Sequence, residues 1–452
     1  PCEIVAPHGI TPEPAGAQKP KTPKKRTLLQ FLGKVDDLGD AVTGPFNSNG
    51  NLGKMKGKVQ SLTMRQDTDS YNRDGSVKET KTVTSTMAFF LDYVTPEFAG
   101  FTGGLQYVYV TKLYDGHHSV PFNDAYYAFN EKYHVLNEFY VNYNAKALGM
   151  GKTNLRAGRQ IINYDFFKKA ALRHKEAAAE GVVFSTKDIK DTELSVGHIW
   201  KYSSFASRDY PPYPTQFMNI GDVMRVPYRT AGATFASASY SGISNFKLTT
   251  YDWILYNLFN VQGNKIEYFM GEGDFKVVPR VHFAWERDAG RMAKDGLGKI
   301  ESYALETAVA LKYKRSYLEW GWLSIADNKR DGKVHNFQHP FDSSFTSDCE
   351  KGGDFTRQFN AGAQTTHLRA FLEWDCFSFV TTYYYTIHQK AAVNGATDRG
   401  TRDQQIEADL GVQITRNMSA KATFIYGQLG TNMTDRKYLE KKDARIWITY
   451  AF

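Results

Sequence analysis

Apolar and polar residues alternate with period two through most of the chain. In QIEADLGVQIT, Ile406, Ala408, Leu410, Val412 and Ile414 share one face, and Glu407, Asp409, Gly411, Gln413 and Thr415 share the other. After a two-residue break, MSAKATFIYGQ repeats the alternation with Met418, Ala420, Ala422, Phe424 and Tyr426. Successive side chains of a strand point to opposite faces, so this period is a strand signature. SYALETAVALKYK sets Tyr303, Leu305, Val309, Leu311 and Tyr313 against Glu306 and Lys312, and HLRAFLEWD sets Leu368, Ala370, Leu372 and Trp374 against Arg369 and Glu373. These strands run to about ten residues, enough to cross a bilayer at a tilt near 45°. Strands of soluble domains are nearer five or six residues.

The connections alternate as well. KRS at 314–316, DC at 375–376 and RN at 416–417 are tight turns, and the long polar segments 327–362, 389–402 and 429–442 lie between them. About eighteen strands are expected, from 56–66, 83–94 and 102–113 through 244–254 and 264–270 to 443–452. The pattern predicts an all-β fold, a transmembrane antiparallel β-barrel with short periplasmic turns and long extracellular loops. An even strand number puts both termini on the periplasmic side and makes every short turn periplasmic. A soluble sandwich or propeller also alternates, but ten-residue strands with aromatic ends fit lipid better, and there is no blade-length repeat. ARIWITYAF places Ile446, Ile448, Tyr450 and Phe452 on one face. It reads as the strand that closes the barrel against the first, with Tyr450 and Phe452 in the periplasmic aromatic girdle.

Composition narrows this reading. The apolar fraction of 42% is ordinary, yet 14% of residues are aromatic, and mean hydropathy is −0.48. No window approaches the ~20 apolar residues of a transmembrane helix. The net charge of +8 is spread along the chain apart from KPKTPKKR at 19–26, which argues against a nucleic-acid-binding face. Residues 1–50, rich in Pro, Gly, Lys and Thr, read as a flexible basic periplasmic arm with one short amphipathic stretch, and 51–452 as the barrel. The first residues do not form a signal peptide, although an exported chain whose leader had been removed could begin this way. Cys2, Cys349 and Cys376 have neither metal-site nor disulfide-scaffold spacing.

No catalytic, cofactor-binding or metal-binding motif stands out, and DGHHS at 115–119 reads as solvated loop. The chemistry is expected in the lumen. With apolar residues outward, the inward set includes Arg156, Arg280, His282, Glu286, Glu306, Lys312, Arg369, Glu373, Glu407, Asp409 and Lys421. Mid-strand charges are expensive against lipid and natural in a water-filled pore. Arg156, Arg159, Arg280, Lys312 and Arg369 are expected to form a basic path for carboxylates, with Glu306, Glu373, Glu407 and Asp409 discriminating from the opposite wall. Strict alternation turns Arg159 outward, so its place in that path depends on its position at the strand end. Two loops are expected to fold inward. The third, 162–179, carries Tyr164, Asp165, Lys168, Lys169 and Arg173, and its Ala-rich half suits a short helix; the seventh is 327–362.

The stretch LNEFYVNYNAKALGMGKTNLRAGRQIINYDFFKKAALRHKEAAAEGVVFST resembles OprD-type porins, the substrate-specific channels of Gram-negative outer membranes, at Gly158, Arg159, Gln160, Arg173 and Gly181. GKVQSLTMRQDTDSYN is similar to that family's first strand and loop. The resemblance implies a channel narrowed by the third and seventh loops, a ladder of basic wall residues facing acidic loop residues, and passage of small carboxylate-bearing nutrients. The basic arm and the very basic third loop depart from the pattern. The implied partners are outer-membrane lipid and lipopolysaccharide, the barrel-assembly machinery and a small solute; no nucleic acid or cofactor is expected, and the assembly is a monomer or trimer. The competing readings are an alginate-export-type channel and a plugged barrel serving as adhesin or structural protein.

Overall fold

The computed structural model describes residues 52–71, 76–118, 132–167, 173–204, 216–292, 294, 298–327, 333–338, 341, 357–388, 401–430 and 437–452. The arm 1–50, Cys2, Cys349, Lys168 and Lys169 lie outside them, as do the side chains of His117 and His118.

Within these limits the chain forms eighteen long strands. They are β1 Lys54–Tyr71, β2 Val77–Val94, β3 Phe101–His118, β4 Tyr133–Asn144, β5 Thr153–Gln160, β6 Ala178–Thr186, β7 Thr192–Ser203, β8 Ala233–Tyr240 and β9 Phe246–Leu255, then β10 Phe259–Tyr268, β11 Phe275–Asp288, β12 Lys299–Tyr313, β13 Ser316–Ile325, β14 Ala363–Trp374, β15 Phe377–His388, β16 Arg402–Gln413, β17 Met418–Gly430 and β18 Lys437–Ala451. Each pairs antiparallel with the next, and β18 pairs with β1 from Lys58↔Ala451 to Ser70↔Leu439. The sheet is therefore a closed barrel without a free edge, the condition for strands to cross lipid. At the seam, Gly57 N–H donates to Phe452 O at 2.6 Å and Phe452 N–H donates to Gly57 O at 2.8 Å. Gly57 leaves room for the Phe452 ring, which a Cβ there would meet at 2.3 Å.

The burial pattern is that of a soluble protein turned inside out. On β12, Leu311 is 42% exposed while Glu306 is 1% exposed. On β18, Ile446 and Ile448 are exposed while Asp443 and Arg445 are buried. An apolar belt facing outward and a polar interior is the arrangement a bilayer selects.

Four expectations differ from the structure. Strands β1 to β3 run well past their apolar belt, because the polar, Thr-rich segments QDTDSY and KETKTVTST continue the ladder, with Asp69 opposite Glu79. Residues 256–258 make a three-residue turn at the long-loop end of the barrel, so short turns are not confined to one end. Phe259, Asn260 and Val261, read from sequence as loop, belong to β10. The Ala-rich half of the third loop is no helix where it is described: residues 173–175 bend, and Ala178 opens β6.

Candidate functional site

The site is the third loop, residues 161–177, together with the wall it meets. Its described parts, 161–167 and 173–177, lead from β5 into the barrel and from its interior to β6. At the tip, Tyr164 and Phe167 exchange backbone hydrogen bonds at 2.8 and 3.0 Å, making a tight turn. That turn holds Phe166 at φ 72°, a conformation bulky residues avoid. Burial compensates the strain: Phe166 and Phe167 are enclosed by Tyr202, Trp253, Phe259, Phe337 and Phe341, with ring centroids 4.6–6.5 Å apart. Asp165 accepts from Lys265 of β10 through both oxygens at 2.8 Å, and its backbone carbonyl accepts from the Trp253 indole of β9 at 3.1 Å.

The returning arm is held on another wall. His174 Nε2 lies 2.7 Å from Thr86 Oγ of β2, and its Nδ1 lies 3.1 Å from Gln60 Oε1 of β1. Gln60 gives its amide N–H to Thr449, so its carbonyl accepts from Nδ1–H, and Nε2 accepts the Thr86 hydroxyl. Burial, with Lys58 and Arg173 nearby, lowers the His174 pKa to about 3, consistent with this neutral tautomer. Lys175, fully buried, donates to Asn137 Oδ1 at 3.1 Å. In a closed ring of eighteen strands, β10 is nine strands from β1, so the loop's two anchorages are diametrically opposed. The described parts of the third loop are thus fixed to opposite sides of the bore.

The seventh connection reinforces the tip. Phe337, Phe341 and Phe359 join the same cluster. Gln338 N–H donates to buried Glu286 at 2.8 Å, and Arg357 grips Asp403 at 2.6 and 2.9 Å, with His388 on the same carboxylate at 2.7 Å.

From the loop tip an ionic belt continues along the wall. Tyr251 O–H meets His282 at 3.0 Å, and His282 faces Glu306 at 4.0 Å. Arg280 bridges Glu306 at 3.1 Å and Glu319 at 3.2 Å, and Glu319 meets His367 at 3.3 Å. Arg369 is the cross-strand neighbour of Glu319. This changes the expected ladder. Glu306 stands on the same wall as Arg280, not opposite it, because adjacent strands bring their inward positions into register. Arg280 is consumed by two carboxylates. Arg159 lies on the outward face, bonded to Glu180 at 3.1 Å with its guanidinium over the Phe217 ring, because its parity is that of exposed Leu155.

The other basic positions point inward over aromatic rings: Arg156 at 4.2 Å from Tyr140, Arg369 at 5.5 Å from Tyr317 and Lys312 at 5.8 Å from Phe269. Lys312 and Glu373 sit near the short-turn end, where Glu373 accepts from Arg315 at 2.8 Å. Asp409 pairs with Lys421 at 3.1 Å and with Thr423; Glu407 is buried beside it on β16. Tyr450 packs on Phe452 at the seam. Among the described residues no His, Cys, Asp and Glu group could hold a metal.

Lys265, Trp253, His174, Glu319 and Arg357 were not legible as site residues. One signal existed: in FKLTTYDWILYNLFNV, Tyr251, Trp253, Leu255, Phe259 and Val261 share one face and Thr250, Asp252 and Asn260 the other, so the apolar face points inward and packs against something inside the barrel.

A closed eighteen-stranded barrel with an apolar exterior, an ionic interior and a loop anchored on opposite walls of its bore is a channel of the porin class. The family model for "outer membrane porin, OprD family" matches residues 56–368, and the chain belongs to that family. Its fold is similar to Pseudomonas aeruginosa OpdK with vanillate (11% identity, TM-score 0.61, 88% of this chain and 98% of that one). It is similar also to P. aeruginosa OccK2 (OpdF) (15%, 0.59, 88% and 97%) and OccD3 (OpdP) (12%, 0.62, 89% and 92%). No curated protein matches the sequence.

Proposed function

We propose that the protein is a passive, selective diffusion channel of the Gram-negative outer membrane, with its long loops outside and its short turns in the periplasm. Small water-soluble nutrients bearing a carboxylate, anionic or zwitterionic, pass along the His174 side of the third loop. The observation that carries this reading is the loop's attachment to opposite walls, which divides the bore. The aromatic tip fills the part against β8–β10. The remaining lumen carries Arg156 on β5 and Arg369 on β14, on opposite walls, with Lys58 on β1 and Arg173 on the loop itself, and their charges act more strongly in a narrow low-dielectric passage than in bulk water. A guanidinium fork matches a carboxylate in shape. That a similar barrel, OpdK, was crystallised with vanillate, a small aromatic carboxylate, agrees with this.

Reversal potential in a salt gradient across a planar bilayer tests the reading. The parent channel should prefer anions, and Arg156→Ala with Arg369→Ala should reduce that preference several-fold. Cation preference in the parent, or an unchanged double variant, would refute the basic path. A silent bilayer with correctly folded protein would favour a plugged barrel, the reading to which the buried aromatic cluster lends support.

A further inference from the structure

The outward face of β8, β9 and β10 breaks the pattern of the apolar belt. On β12 the outward positions are Tyr303, Leu305, Thr307, Val309 and Leu311, with a single polar residue among them. On β9 they include Thr250 and Asp252, on β10 Asn260, Gln262 and Asn264, and on β8 Ala236 and Ala238. Alternation settles the side: Tyr251, Trp253 and Val261 are buried inside, so their neighbours point out. The register lines up Ala236, Asp252 and Gln262 in one row and Ala238, Thr250 and Asn264 in the next. The two alanines leave a hollow of about 280 Å³ lined by these six residues and Leu194.

The rim of the hollow is apolar, with exposed Val196, Ile254, Ile266, Phe283 and Trp285 around it. Tyr256 lies toward the long-loop end and Tyr240 and Tyr268 toward the short-turn end, so the rows fall within the belt. Asn260 donates to Asp252 at 2.5 Å. Thr250, Gln262 and Asn264 make no side-chain hydrogen bond among the described residues. Acyl chains offer none, and a carboxylate against hydrocarbon is costly.

We propose that this hollow is the contact face for a second copy of the chain. Amides and hydroxyls donate and accept, so the floor is complementary to itself. Polar side chains satisfied across an interface hold membrane proteins together where lipid cannot satisfy them. The chain also carries a matching projection: Trp285 stands one strand from the hollow on β11, exposed, and its indole N–H is a donor suited to a facing carboxylate.

The test uses Thr250→Cys and, separately, Asn264→Cys in the full chain with Cys2, Cys349 and Cys376 replaced by Ser. Native outer membranes are treated with a bifunctional maleimide. Both variants should give a dimer of this chain at least several-fold above a Leu311→Cys control on β12, and adding Trp285→Ala should reduce it several-fold. Equal folded protein with no dimer above control would overturn the proposal. So would crosslinking to a different protein, or quenching of a label at position 250 by brominated lipid as strong as at position 311, which would assign the hollow to lipid.

Discussion

The third loop is held at two ends by different chemistry. At the tip, Phe166 and Phe167 are buried in a dry aromatic cluster and Asp165 is locked to Lys265. At the returning arm, His174 and Lys175 are buried as deeply, and they bond to neutral groups, Thr86, Gln60, Asn137 and the Glu176 carbonyl among them, with cations close to His174. The difference teaches how a loop can close part of a bore and leave the rest usable. A dry anchor fills space and excludes water. A polar anchor fixes position with few atoms and leaves charged side chains on the surrounding wall.

The contrast can be broken most severely at the dry end. Phe166→Ala with Phe167→Ala removes two buried aromatics, each worth about 3–5 kcal/mol. The barrel should still fold and shift on heating in gels, while single-channel conductance rises several-fold and selectivity falls. Unchanged conductance would show that the tip is not a strut. Asp165→Asn is the next largest change. It removes the carboxylate that half-buried Lys265 meets through both oxygens, at a local cost of roughly 1–3 kcal/mol. Reversal potentials should move toward anions, and adding Lys265→Met should restore the parent conductance, because removing both charges costs less than stranding one.

The polar end should respond to acid instead. Burial and the neighbouring cations lower the His174 pKa from 6.5 to about 3. An unfolded or released imidazole takes up a proton before the docked one does. The anchor is therefore at full strength above pH 6.5 and weakens as pH falls from 6.5 toward 3, by about 2 kcal/mol at pH 5. Conductance noise from loop motion should grow across that window and flatten in His174→Gln, which keeps a hydrogen-bonding side chain and does not titrate. Noise independent of pH in the parent would assign the loop's anchorage elsewhere. The smallest effect is expected from Lys312→Ala. This residue lies near the short-turn end, away from both anchors, and its loss should shift reversal potential by no more than a few millivolts, on the order of a weakly screened surface charge.

Much of the barrel was legible because lipid imposes a simple code. Alternation in QIEADLGVQIT says which residues face outward, and tight turns alternating with long loops say how the strands connect. Strand ends were less legible, since Thr-rich segments such as KETKTVTST pair equally well above the membrane as within it. Phe259 and Val261 were misread because this strand reverses the code of the others, with Phe259 and Val261 facing inward and Asn260, Gln262 and Asn264 facing outward.

The alternating pattern by itself determined the fold class, the closing strand and the inward direction of Arg156, Arg280, Lys312 and Arg369. For Arg159 strict alternation pointed outward, against its expected place in the basic path, and the structure sets it against Glu180. What only the tertiary structure decided was who meets whom. Asp165 and Lys265 are 100 residues apart and His174 and Gln60 are 114 apart, and no local period encodes such contacts. Glu306 and Glu319 neutralise Arg280 because register on neighbouring strands sets their spacing. A strand's period fixes only the side on which a charge lies; the closure of the ring and the path of a loop through it fix which opposite charge it finds there.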